Sequence, residues 1–244
     1  MVIELRSKAP LLPLGIFRLR TLAGANVAGF LLAGTLFSQF FLLTLYMQQV
    51  LHYSALKTGV AYVATTLTVI GFSGIAQALA TRIGVRPLLP LGMLMAAGAL
   101  ALYARLPVNG HYFWDLFPPF ILSGVGLALA FVPMTIGALA GVRQSEAGVA
   151  SGLINTSQQI GGAIGVAVAT TIATTFTSHY VKVHPGATTL SGPALTHGFE
   201  IAFYALAAVA AAGALLALLM IESQPPVAQD ADAPVEDEVA LKAA

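Results

Sequence analysis

Six apolar stretches, at about 22–49, 58–80, 87–105, 114–140, 148–175 and 198–221, dominate the pattern of hydrophobic and polar positions along the chain. Each meets the requirement of ~20 apolar residues for crossing a hydrocarbon core of ~30 Å. Lipid offers a backbone no hydrogen-bond partners, so each stretch is expected to be a helix. The expected fold is all-α: a polytopic membrane protein with a six-helix transmembrane bundle over residues 21–221. Residues 1–20 read as a short basic lead-in, broken by Pro10 and Pro13. From Glu222 to Ala244 the composition shifts to acidic residues and proline, with no aromatic. That tail cannot bury enough apolar surface to offset its ordering entropy, so disorder is expected there.

Polarity sorts the six helices. The third and sixth carry almost no polar side chain except tyrosine and are expected to face lipid. The first, second and fifth are rich in Asn, Gln, Ser and Thr, and the fourth is Gly-rich with Pro133 inside it. Uncompensated polar groups are costly in hydrocarbon, so these four should face protein or a cavity. An apolar helix closing each group of three suggests two three-helix units. Alternating chain direction makes such units inverted repeats.

The fifth helix, AGVASGLINTSQQIGGAIGVAVATTI, has no charge yet holds Asn155, Thr156, Ser157, Gln158 and Gln159 in one run. Helical spacing puts Gly148, Gly152, Asn155, Gln159 and Gly162 on one face, and Gln158, Gly161 and Gly165 on an adjacent one. Gly148/Gly152 and Gly161/Gly165 are GxxxG spacings, which let a second helix come close. Two readings stay open: the amides only bridge neighbouring helices, or Asn155 and Gln159 line a path. On the first helix, Asn26, Phe37, Gln39 and Tyr46 are further path candidates. Aromatic faces mixed with neutral hydrogen-bonding groups suit an apolar or cationic molecule, although the same phenylalanines would serve as core or lipid-facing packing. Pro133 frees a backbone carbonyl and can mark either a gating bend or a static kink.

Charge narrows the picture. Only 9% of the 244 residues are charged, against about 25% in a soluble domain. The net charge of +1 comes from scattered basic residues, which argues against a nucleic-acid partner. The absence of cysteine excludes disulfides, thiol catalysis and thiolate metal sites. Arg6, Lys8, Arg18, Arg20, Arg82, Arg86, Arg143 and Lys242 fall on one side of the membrane, and Lys57, Arg105 and Lys182 on the other. That bias puts both termini in the cytoplasm. The longest connection, about 178–197, is then an external loop. Its His179, His184 and His197 fit no zinc spacing, so no metal is expected. Asp115 and Glu200 read as helix-start residues favoured by the helix dipole, and Glu146 beside Arg143 as a pair or cap. No mid-membrane ionisable group is then left to couple protons. Neither a catalytic constellation nor a phosphate loop occurs, so neither an enzyme nor a cofactor is implied.

Four stretches carry a family resemblance: PLLPLGIFRLRTLAGANV, LYMQQVLHYSALKTGVAYV, ALATRIGVRPLL and GVASGLINTSQQIGGAIGVAVATTI. Over nearly all of 5–221 the chain resembles the C-terminal half of the major facilitator superfamily, in its fourteen-helix drug:proton antiporter branch (EmrB/QacA-like). ALATRIGVRPLL is a degenerate copy of that superfamily's cytoplasmic loop pattern. Arg82 and Gly84 fit, Arg86 supplies the later basic position, and Thr81 stands where an acid is usual. The resemblance implies a plasma-membrane exporter of hydrophobic or cationic small molecules, coupled to protons through a preceding N-terminal half. It also implies that helices one and four line the central cavity, two and five contact the other half, and three and six face lipid. The other reading is a non-transporting membrane partner, or a decayed half-protein, that assembles with another membrane chain.

Overall fold

The computed structural model describes residues 20–139 and 147–220. The acidic tail, all of the lead-in except Arg20, and the Arg143–Glu146 pair lie outside the described residues. Helix α1 (Arg20–Leu45) widens into one π-helical turn over Tyr46–Val50. Helices α2 (Ala55–Ala61) and α3 (Val63–Ile83) together make the second span, and α4 (Val85–Tyr103) the third. A wide turn over Tyr112–Leu116 leads into α5 (Phe117–Leu139), followed by α6 (Ala147–Val183) and α7 (Gly192–Met220). Among the described residues six spans are long and apolar enough to cross a membrane, and there is no strand. Six crossings return the chain to its starting side. The end where α1 begins and α7 finishes is here called proximal, and the opposite end distal.

Local chemistry explains the breaks. Gly84 closes α3 with φ 84°, a conformation that costs glycine little, and its N–H bonds to the Ala80 carbonyl at 3.1 Å. Arg82 lies in the last turn of α3, where a cation complements the helix C-terminus. Arg86 follows in the first turn of α4, and both arginines are exposed. The loop motif is therefore a sharp proximal turn. At the distal end Ser54 caps α2 by accepting from the Lys57 N–H. Asp115 Oδ2 accepts the His111 N–H at 2.6 Å, a carboxylate reaching back over a helix start. Glu200 stands 3.8 Å from His197, one turn away on α7.

The packing has a two-fold pattern. The most extensive pairs are α1 on α6, α4 on α5, α4 on α7 and α3 on α5, with α1 also lying on α7 and on α5. Exchanging α1 with α5, α3 with α6 and α4 with α7 maps this set onto itself, as expected for two inverted three-helix units. The symmetry is incomplete: α6 packs broadly on α7, whereas α3 barely touches α4. The distal core gathers around Leu42, Leu43, Tyr46, Tyr103, Phe120 and Phe203. The proximal core gathers around Leu88, Leu89, Met93 and Met134.

One expectation from the sequence needs correction. The connection expected over 178–197 is mostly helix, because α6 runs to Val183 and α7 starts at Gly192. Hydropathy ends where apolar residues end, while a helix continues into water with polar side chains. His179 and His197 therefore sit on helices, and only His184 of the three is in the loop. Coverage within the described residues also differs among the spans. Half of the most apolar window of α4 and 39% of that of α7 are buried, against 22% for the second span and 28% for the fifth. Each keeps one leucine-rich face exposed (Leu91 and Leu94 on α4, Leu215 and Leu219 on α7) and packs the other. An apolar side chain loses nothing in either lipid or core, so polarity cannot choose between them.

Candidate functional site

Small residues bring α1 and α6 into backbone contact. A Cβ placed on Gly165 would stand 2.6 Å from the Gly34 Cα, and one on Gly161 2.8 Å from the Phe30 carbonyl carbon. On α1 itself, a Cβ at Gly34 would meet the Gly161 carbonyl oxygen at 3.0 Å. Close approach of this kind is what GxxxG spacings permit. The related seam between α5 and α3 is built likewise: a Cβ on Gly124 would lie 2.9 Å from the Thr65 carbonyl oxygen. There the Thr65 hydroxyl donates to the Phe120 carbonyl at 3.3 Å.

A step of 100° per residue divides the polar run of α6. Ser157 turns inward and donates to Asn26 Oδ1 at 2.9 Å, tying α6 to α1. Gln158 turns the same way, with Nε2 3.9 Å from Met134 Sδ. Asn155, Thr156 and Gln159 point out of the bundle and are exposed. The Thr156 hydroxyl satisfies itself on the Gly152 carbonyl at 2.8 Å. The amides of Asn155 and Gln159 make no hydrogen bond within the described residues. Gly148 and Gly152 lie on this outward side with nothing within 4 Å of a Cβ placed on either. Identical spacing thus has two outcomes: Gly161 and Gly165 carry a helix contact, while Gly148 and Gly152 face open space among the described residues.

The path candidates on α1 separate in the same way. Phe37 lies over Gly162, one helical turn along α6 from Gln159. Phe37 and Phe41 are 41% and 40% exposed, so both rings present area beside the outward face of α6. Gln39 and Tyr46 are buried. Gln39 Nε2 donates to Ser123 Oγ at 2.8 Å, joining α1 to α5, and the Tyr46 hydroxyl donates to the Pro107 carbonyl at 2.6 Å. Both polar groups are turned into the bundle rather than toward an open path. Pro133 is buried in the interior of α5, where its missing N–H leaves the Leu129 carbonyl without its usual donor.

Sequence reasoning missed Tyr62 and Gly92. Tyr62 fastens α3 to α1, its hydroxyl donating to the Phe40 carbonyl at 2.9 Å and lying 3.0 Å from Thr44 Oγ1. Gly92 and Gly126 bring α4 onto α5, a Cβ on Gly126 falling 2.8 Å from the Gly92 carbonyl oxygen. Gly92 is a lone glycine in an apolar helix, a weak hint of close approach. Tyr62 carried no such hint, because a tyrosine near a helix end also suits the membrane interface.

An all-helical bundle of six spans, paired by a two-fold exchange and leaving two polar spans largely uncovered, has the architecture of one half of an inverted-repeat membrane fold. The chain belongs to the major facilitator superfamily, whose family model matches residues 4–166. It is similar to the puromycin resistance protein pur8 of Streptomyces alboniger, 34% identical over 232 residues, which cover 94% of this chain and 46% of that protein. It is also similar to the lincomycin resistance protein of Streptomyces lincolnensis, 34% identical over 68% of this chain and 34% of that protein. The cephamycin export protein CmcT of Amycolatopsis lactamdurans is 34% identical over 68% of this chain and 35% of its own length. The chain spans about half the length, or less, of these curated relatives.

Proposed function

We propose that this bundle is one half of a secondary transporter that exports hydrophobic or cationic small molecules, rocking against a second six-helix bundle. The observation that carries the reading is the uncovered polar face of α6. Asn155 and Gln159 stand exposed, with open glycines beside them, on a span whose apolar window is only 28% buried. Amides at mid-span are expensive against lipid, so a protein surface or a water-filled path should cover them. α3 offers a comparable surface with exposed Thr66, Gly71, Gly74 and Gln77. Phe37 and Phe41 add aromatic faces that attract apolar and cationic molecules alike. The names of the relatives, concerned with antibiotic resistance and export, favour export of small molecules.

In this reading the distal end faces outward, both termini are cytoplasmic and the membrane is the plasma membrane, with the basic proximal end obeying the positive-inside rule. Asp115 caps a helix start and Glu200 lies beside His197, so the proton-coupling carboxylate belongs to the apposed bundle. Pro133 on α5 supplies the bend about which that wall of the path adjusts. The test is ethidium efflux from cells lacking their own pumps. Chain 1–244 is expressed alone, then joined to the unmatched part of a full-length relative such as the puromycin resistance protein. Efflux is expected only from the longer form. There Asn155→Leu and Gln159→Leu should reduce it severalfold at matched expression. Efflux by 1–244 alone, or full efflux from both leucine variants, would overturn the proposal.

A further inference from the structure

Between the distal ends of α1, α6 and α7 and the 184–191 loop lies a cavity of about 290 Å³. Its walls are mainly apolar, with Leu42, Leu45, Leu190, Leu195 and Phe199 among them. Uncharged hydrogen-bonding side chains interrupt them: Gln49 from the π-helical end of α1, Thr177 and Ser178 from α6, and Thr189 from the loop. A few placed polar groups in an otherwise apolar pocket are the usual make-up of a small-molecule site.

Thr177 makes this more than a gap in the packing. Its side chain is only 6% exposed, yet its hydroxyl makes no hydrogen bond within the described residues. A helical threonine commonly donates to a carbonyl one turn back. Thr170 and Thr174 in the same wall do so, to Val166 at 2.7 Å and to Thr170 at 2.9 Å. The carbonyl one turn before Thr177 belongs to Ala173, and a Cβ placed on Gly198 of α7 would overlap both that oxygen and the Thr177 hydroxyl. The close crossing of α6 and α7 therefore accompanies a hydroxyl without a protein partner at the cavity wall, its oxygen not sealed in the packing but open to the cavity.

Charge around the cavity selects the ligand. None of its lining residues carries a charge. Lys182 stands at its rim, in a surface depression that shares Thr174 and Ser178 with the cavity. With no carboxylate in the lining and an ammonium group at the rim, an organic cation finds no counter-charge here.

We propose that this distal cavity binds a neutral amphiphilic small molecule. Its apolar body lies against the leucines and Phe199, and its polar end hydrogen-bonds to Thr177 and Gln49. The site is separate from the mid-span face: Thr177 lies eighteen residues beyond Gln159, about 27 Å along α6 at 1.5 Å per residue. It differs in chemistry too, since it has no preference for cations. It stands independently of the export reading.

The chain lacks cysteine, so a single introduced thiol reports on the cavity alone. In membrane vesicles, Ser178→Cys is labelled with N-ethylmaleimide with and without 4-hexylresorcinol, an uncharged molecule with an alkyl chain and two hydroxyls. The probe should slow labelling severalfold at Ser178→Cys and leave Trp114→Cys, in the exposed distal turn outside the cavity, unchanged, while ethidium should protect neither. Adding Thr177→Val, which keeps the shape and removes the hydroxyl, should raise the half-protecting concentration roughly five- to tenfold, the worth of one hydrogen bond. Equal protection at both cysteines would show partition into the bilayer, and no protection would show a cavity holding only water. Either result overturns the proposal, as does an unchanged half-protecting concentration in the valine variant or equal protection by ethidium.

Discussion

Replacing Gly165 with alanine tests the account of the α1–α6 seam most sharply. The added methyl would stand 2.6 Å from the Gly34 Cα and 2.7 Å from its carbonyl carbon. Ordinary contact between carbons is about 3.5–4.0 Å, so the helices must part by roughly 1 Å. The obstructing atoms are backbone and cannot rotate away. Overpacking of this kind costs about 1–3 kcal/mol, and the upper part of that range applies here. Alanine recovers about 1 kcal/mol through its better helix propensity, which leaves a net loss of about 1–2 kcal/mol. For a chain of this size that lowers Tm by roughly 2–8 °C. The same substitution at Gly148 meets nothing within 4 Å, so there only the propensity gain remains and Tm should hold or rise. The assay heats detergent extracts of each variant and measures the monodisperse fraction by size-exclusion chromatography. If Gly165→Ala and Gly148→Ala melt together, α1 and α6 do not meet through these glycines.

Other contacts make separate demands. Gln39→Leu should destabilise the bundle by about 1–3 kcal/mol by leaving the buried Ser123 hydroxyl unpaired, and adding Ser123→Ala should restore most of the loss. A double variant no more stable than Gln39→Leu would mean the 2.8 Å bond is not what holds that site. Thr188→Cys in the distal loop should react with an impermeant maleimide in intact cells, while Thr81→Cys at the proximal end should react only after permeabilisation. The reverse pattern would overturn the orientation.

The six spans were legible in the sequence because runs of ~20 apolar residues have few other uses. Where α6 ends and α7 begins was not, since a helix that leaves the bilayer keeps its hydrogen bonds but loses its hydropathy signal. The helical face shared by Gly148, Gly152, Asn155 and Gln159 could be read from spacing, but whether a partner covers that face could not. Gly161/Gly165 and Gly148/Gly152 are indistinguishable as patterns, and only the first pair meets α1. Gln39 shows the same limit. A bridging amide and a path-lining amide avoid lipid for one and the same energetic reason. Polarity therefore says that Gln39 turns away from lipid, and only the position of Ser123 says what it turns toward.

The length of α6 has a mechanical consequence. Its 37 residues give a rod of about 55 Å at 1.5 Å per residue, well beyond a core of ~30 Å. The rod is gripped near its middle, where Gly161 and Gly165 touch α1. Thr177 lies twelve residues past that grip, a lever arm of about 18 Å. A tilt of about ten degrees at the grip sweeps Thr177 through about 3 Å, roughly the length of a hydrogen bond. The fulcrum can stay still while the far end of the rod makes or breaks its contacts.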